Sequence, residues 1–141
     1  MGCDIHGWVE VRPYRSGRDY WRSVVNINYW ERNYLIYARL FGVRNSFGVI
    51  PIAASRGLPI TSKYANEEPE PRDIDVQKWE GDGHSHSWIL FTEFEDDLQE
   101  IIKPYKHYNN YDKWWRLYQI MSLLAEQYGK DNVRIVVWFD N

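Results

Sequence analysis

The chain has a single cysteine, Cys3. It can form no internal disulfide and is compatible with a reducing cytoplasm. No apolar run approaches the roughly 18 residues needed to span a bilayer, and no signal-peptide pattern opens the sequence. A membrane protein is therefore not expected, and a cytoplasmic location is. Position six, where myristoylation requires Ser or Thr, is His6, so Met1-Gly2-Cys3 does not read as a lipidation signal. Internal repeats are lacking. So is a basic balance: the net charge is −3, which argues against a long nucleic-acid polymer as partner.

The charge is unevenly distributed. Residues 1–63 carry eight Arg and one Lys against four acids, a net of +5. Residues 64–100 carry twelve acids against Arg72 and Lys78, and the remainder is weakly basic. Arginine outnumbers lysine in the basic half, which suits bidentate contacts to phosphate or carboxylate, so a small anionic ligand fits better than a polymer. Aromatic residues make up 17% of the 141 residues. Trp and Tyr serve cores and also offer flat faces on which bases stack.

The length is that of one domain. Residues 3–12 alternate, with Ile5, Val9 and Val11 on one side and Asp4, His6, Trp8 and Glu10 on the other, as in a half-buried strand. Ser16-Gly17 marks a turn into a second strand, Tyr20 to Ile27. Asn33 can cap a short helix, Tyr34 to Phe41, stopped by Gly42. Residues 43–83 show no strong periodicity apart from a helical turn at Asp73 to Trp79. With four prolines they read as a long functional loop or lid, or as disorder. A strand from His84 to Phe91 follows. Thr92 and Glu95 form a capping box for a helix carrying Phe94, Leu98, Ile101 and Ile102 on one face, ended by Pro104. After a loop rich in Asn and Tyr comes a helix, Asp112 to Tyr128. Its stripe of Trp114, Leu117, Tyr118, Met121, Leu124, Ala125 and Tyr128 is core. Val133 to Phe139 is the last strand. The order predicts a single α+β domain over 1–141: an antiparallel or mixed sheet of about four strands, three helices on one face and a long central loop.

Three of the four histidines fall in two short strand segments. Asp4 and His6 are two apart, as are His84 and His86, and each pair is followed two residues later by a tryptophan, Trp8 or Trp88. Period-two alternation would put each pair on one face of its strand. If the two strands are neighbours, the four polar groups converge. Imidazoles titrate near neutral pH and can act as base and acid around one phosphodiester. The same four residues could instead ligate a divalent metal with an open position for water. The alternative is that the histidines cap backbone groups or pack on Trp8 and Trp88. Arg32, Asn33, Arg44 and Arg56 lie in or beside the loops and are candidate ligand-binding groups, with Trp8 and Trp88 as stacking partners. Each arginine could equally order a loop through a carboxylate, for instance from the acidic 64–100 stretch. Cys3 reads as a buried inert thiol rather than a nucleophile. Ser85 and Ser87 should point to the face opposite the histidines.

These segments carry a resemblance. Met1-Gly2-Cys3-Asp4-Ile5-His6, Arg32-Asn33-Tyr34, Gly42-Val43-Arg44-Asn45, Arg56-Gly57-Leu58-Pro59 and His84-Ser85-His86-Ser87-Trp88 resemble a family of short phage and prophage proteins that open with the same hexapeptide. The chain is further similar to phage anti-CBASS proteins that cleave cyclic oligonucleotide immune signals. That resemblance implies a phosphodiesterase of the host cytoplasm acting on a signal such as cyclic GMP–AMP, with His6, His84 and His86 as acid and base, Asp4 orienting an imidazole and Arg32 or Arg56 steadying the phosphate charge. The rival is a non-catalytic protein that sequesters the signal. Metal use and association between copies of the chain stay open.

Overall fold

A computed structural model describes residues 2–13, 21–59 and 83–140. Two strands open the chain, β1 (Asp4–Val11) and β2 (Arg22–Asn26), followed by helix α1 (Tyr34–Phe41). After β3 (His84–Leu90) come α2 (Phe91–Ile102) and α3 (Asn109–Tyr128), and β4 (Val133–Asp140) closes the chain. The sheet order is β2-β1-β4-β3, every pair antiparallel. This is a single-domain α+β arrangement. The Ser16-Gly17 turn and the helical turn at Asp73 to Trp79 lie outside the described residues, as does most of the 43–83 stretch. Its described part, residues 43–59, contains neither helix nor strand.

Local signals explain the helices. Asn33 is extended, and its Oδ1 accepts from the Ile36 amide at 3.1 Å, satisfying one of the amides a helix start leaves unpaired. Gly42 ends α1 with φ of 70°, and its amide donates to the Ala38 carbonyl, a left-handed stop that glycine adopts without strain. The expected capping box at Thr92 and Glu95 is displaced. The helix begins at Phe91, and Glu93 Oε2 accepts from the Leu90 amide at 2.9 Å. The cap falls where the strand ends, so tertiary packing overrides the better local motif.

The core lies between one sheet face and the three helices. Ile5, Val9, Ile89, Ile135, Val137 and Phe139 meet Tyr37, Leu40 and Phe41 of α1, Phe94 and Leu98 of α2, and Trp114, Leu117 and Met121 of α3. The α3 stripe behaves as expected: four of its members are buried, and Tyr118, Leu124 and Tyr128 pack against them. The opposite sheet face is closed as well, with Val136 and Trp138 unexposed. No described helix is long and apolar enough to cross a membrane.

Candidate functional site

Strand order decides the fate of the histidine cluster. β4 runs between β1 and β3, so the two histidine-bearing strands are not neighbours, and the convergence expected of them does not occur. Residues directly opposed in antiparallel strands share a face. His6 opposes Trp138 and His84 opposes Phe139. Trp138 and Phe139 are consecutive and point to opposite sides, so His6 and His84 do too. His84 lies on the helix side, stacked on Phe139 at 6.3 Å.

The second pair fails for a different reason. Between His84 and Ser87 the register shifts, three steps on β3 matching two on β4. Ser85 sits at this bulge with φ of 55°, a left-handed conformation that costs about 1–3 kcal/mol for a residue other than glycine. The extra residue reverses alternation, so His84 shares its face with Ser87 rather than with His86. Ser87 is buried, its hydroxyl donating to the Ala53 carbonyl. Ser85 Oγ lies 2.9 Å from His84 Nδ1. Trp8 and Trp88 do lie on one face, both opposing Val136. Burial, and then the proximity of His84, hold the half-buried His86 toward its neutral form. Among the described residues no group of three or more His, Cys, Asp or Glu is placed to hold a metal ion, so Asp4, His6, His84 and His86 do not assemble as a ligand shell.

The Asp4–His6 pair shares a face of β1, with His6 enclosed and Asp4 partly exposed. His6 is fully buried, with Tyr29 edge-on at 4.6 Å and Trp138 stacked at 6.0 Å. Its Nε2 lies 2.9 Å from Asp140 Oδ2. Asp140 Oδ1 accepts from the Asp4 amide at 3.2 Å. Asp4 in turn takes two hydrogen bonds from Arg32, Nε at 2.6 Å and Nη2 at 3.0 Å. This bidentate contact holds the Asp4 carboxyl below its ordinary range. Burial pushes the Cys3 thiol up, partly offset by a hydrogen bond from Arg44, which keeps the sulfur protonated and unreactive.

The predicted binding residues divide. Arg56 is committed to the fold. Its Nη1 and Nη2 reach Glu93 at 2.9 and 2.8 Å, it also donates to the Trp88 and Ile52 carbonyls, and it covers the Trp88 ring at 4.8 Å. The loop is thus ordered by a carboxylate of the acidic stretch. Replacing Glu93 by Gln is expected to cost about 1 kcal/mol of stability at pH 7, the upper end for a partly exposed pair with bidentate geometry. The Arg56 contact holds Glu93 below its ordinary value. The contribution is therefore present above the unfolded pKa of about 4.3 and is lost as pH falls through the lower folded value. Urea titrations of both proteins between pH 7 and pH 3 check this. The gap between them should shrink on acidification, and a constant gap would detach Glu93 from the effect.

Arg44, at φ of 53°, lies 6.0 Å over the Tyr34 ring. Arg32 and Asn33 border a cavity. It measures about 380 Å³ and is bordered by Arg32, Asn33, Tyr34, Phe47, Asn110 and Tyr111. Asn33 Nδ2 donates to the Asn110 carbonyl at 2.8 Å and pins the start of α3 to that of α1. Phe47 is half exposed at the tip of a turn closed by Asn45, whose side chain donates to the Val49 carbonyl and accepts from the Val49 amide. The cavity is therefore bordered by an arginine, two asparagines and three aromatic residues. Phe47, Asn110 and Tyr111 were not foreseen. The abundance of Asn and Tyr after Pro104 was the only signal for the latter two.

No protein-family model, curated protein or solved structure matches the chain. The chemistry of the cavity is read from its own residues.

Proposed function

We propose that the protein binds a small anionic nucleotide in the cavity between the starts of α1 and α3 and holds it intact. One observation carries this reading: Arg32 borders one cavity together with Tyr34, Phe47 and Tyr111, and no histidine lines it. Its volume of about 380 Å³ lies within the range of roughly 300–1,000 Å³ of small-molecule sites. Each base stacked on an aromatic ring contributes about 1–3 kcal/mol, and a charge-assisted hydrogen bond about 1.5–3. The resemblance to phage anti-CBASS proteins names cyclic di- and oligonucleotide immune signals as the ligands to try first, and sequestration as the anti-defence role.

A second reading, cleavage of the same signals, is favoured by His86, a half-buried imidazole that burial and then the neighbouring His84 shift toward its neutral form. A neutral imidazole is the form a general base needs.

One experiment separates the two. The protein is incubated with cyclic GMP–AMP, cyclic di-AMP, cyclic di-GMP, AMP and GMP, with and without EDTA, then gel-filtered, denatured and chromatographed. Co-eluting nucleotide recovered whole is expected. Fragments that vanish in His86→Ala would establish cleavage instead, and their loss with EDTA would make it metal-dependent. If no nucleotide is retained or cut, the functional reading is wrong.

A further inference from the structure

The four residues His6, Asp140, Asp4 and Arg32 form one continuous chain of contacts from the buried sheet face to the cavity wall. His6 Nε2 meets Asp140 Oδ2 at 2.9 Å, Asp140 Oδ1 accepts from the Asp4 amide at 3.2 Å, and both Asp4 oxygens accept from Arg32 at 2.6 and 3.0 Å. The inner end is packed on all sides, because His6 is fully enclosed. The outer end is not: the Arg32 side chain is 51% exposed and the Asp4 side chain 23%. A half-exposed arginine ordinarily samples many rotamers, and ordering it opposes any contact it makes.

Resting on the nucleotide-binding reading, we infer that Asp4, Asp140 and His6 are positioning residues that fix Arg32 as the phosphate anchor, so that the site selects nucleotides over nucleosides. A guanidinium has five N–H donors in a rigid plane. Asp4 takes the edge made by Nε–H and one Nη2–H. The end-on edge, with one Nη1–H and the second Nη2–H, has no acceptor among the described residues. Its geometry matches two non-bridging oxygens of one phosphate. A guanidinium already turned to that orientation gives up little further freedom when the phosphate arrives.

Gly2 provides independent support. A Cβ built there would stand 1.9 Å from Arg32 Nη1 and 2.3 Å from its Cζ. The guanidinium occupies a place that any side chain at position 2 would fill. Arg32 is thus placed in two ways, by the Asp4 carboxylate at its edge and by the room that the bare Gly2 leaves for it.

The test is isothermal titration of AMP, GMP, cyclic di-AMP and cyclic di-GMP, with adenosine and guanosine as the phosphate-free probes. Wild-type protein is expected to prefer at least one nucleotide over its nucleoside. Asp4→Asn, Asp140→Asn and Gly2→Ala should each lower that nucleotide's affinity by about tenfold, the equivalent of one charge-assisted hydrogen bond, while nucleoside affinity moves much less. Asp4→Asn keeps the shape of the side chain, and Gly2→Ala leaves every carboxylate in place, so a folding defect in one variant is checked by the other through thermal melts. Folded variants that keep the wild-type nucleotide preference overturn the positioning role and leave nucleotide binding standing. Wild-type protein that binds none of the six probes overturns both.

Discussion

Gly7→Ala is expected to destabilise the protein by about 3 kcal/mol or more and to lower its melting temperature by roughly 10 °C or more. Gly7 has φ of 144°, and a Cβ there would come within 1.9 Å of the Val136 carbonyl oxygen and 3.0 Å of the Val137 Cα. Both obstacles are backbone atoms of β4, a strand paired on both sides. Relief would therefore require shifting the middle of the sheet. Gly7 also accepts from the Ile27 amide and donates to Asn28 Oδ1, so its conformation ties β1 to the segment after β2. The glycine thus permits close approach of two backbones, one of the roles a glycine in a strand can have. Calorimetry decides the matter. A variant melting within about 2 °C of wild type would mean that the two strands can part without loss, a shift below 1 kcal/mol by the usual scaling.

The second large effect concerns a charge pair on the closed sheet face. Arg134 Nε donates to Glu10 Oε1 at 2.9 Å, with side-chain exposures of 5% and 2%. Ser23 reaches the other Glu10 oxygen at 3.4 Å, and the Arg134 guanidinium lies 3.9 Å over the Trp21 ring, which Arg12 also approaches at 5.0 Å. Burying either charge alone is unfavourable because no water replaces the lost partner. Arg134→Met is therefore expected to cost about 3–5 kcal/mol, and Glu10→Leu a similar amount. The double variant should recover most of the loss, since two apolar side chains of similar volume remove both desolvation penalties together. Urea unfolding of the four proteins yields the coupling. Single variants within about 1 kcal/mol of wild type, the level of an exposed pair, would show that water reaches the pair. A double variant as unstable as the sum of the singles would show that packing on Trp21, and not charge, is what they lose.

These two positions also show where sequence reading runs short. Gly7 could be seen to allow something to come close, but the partner is a carbonyl 129 positions away in the chain. Glu10 was placed correctly on the polar side of β1 by alternation. That this side would be buried, and that Arg134 would answer the charge, depended on β4 lying beside β1. The histidines tell the same story more sharply. Asp4 and His6 share a face as period two requires, and Asp4 meets Arg32, 28 positions further along the chain. His84 and His86 break the rule because one bulge at Ser85 reverses alternation, and the residue types there carried no sign of it.

What the sequence determined by itself was local. Asn33 and Gly42 set the ends of α1, the apolar stripe from Trp114 to Tyr128 set the buried face of α3, and the alternation of Val133 to Phe139 set the core side of β4. Each rests on interactions within about four residues, or on a repeat of 2.0 or 3.6, which the chain carries wherever it is placed. The tertiary structure alone decided that β4 would separate the histidine strands, that Arg56 would close on Glu93, and that Arg32, Phe47 and Tyr111 would border one cavity. Strand order and cavity walls are set by pairings between residues far apart in the chain. Such pairings are chosen by the packing of the whole domain and leave no periodic trace in any one segment.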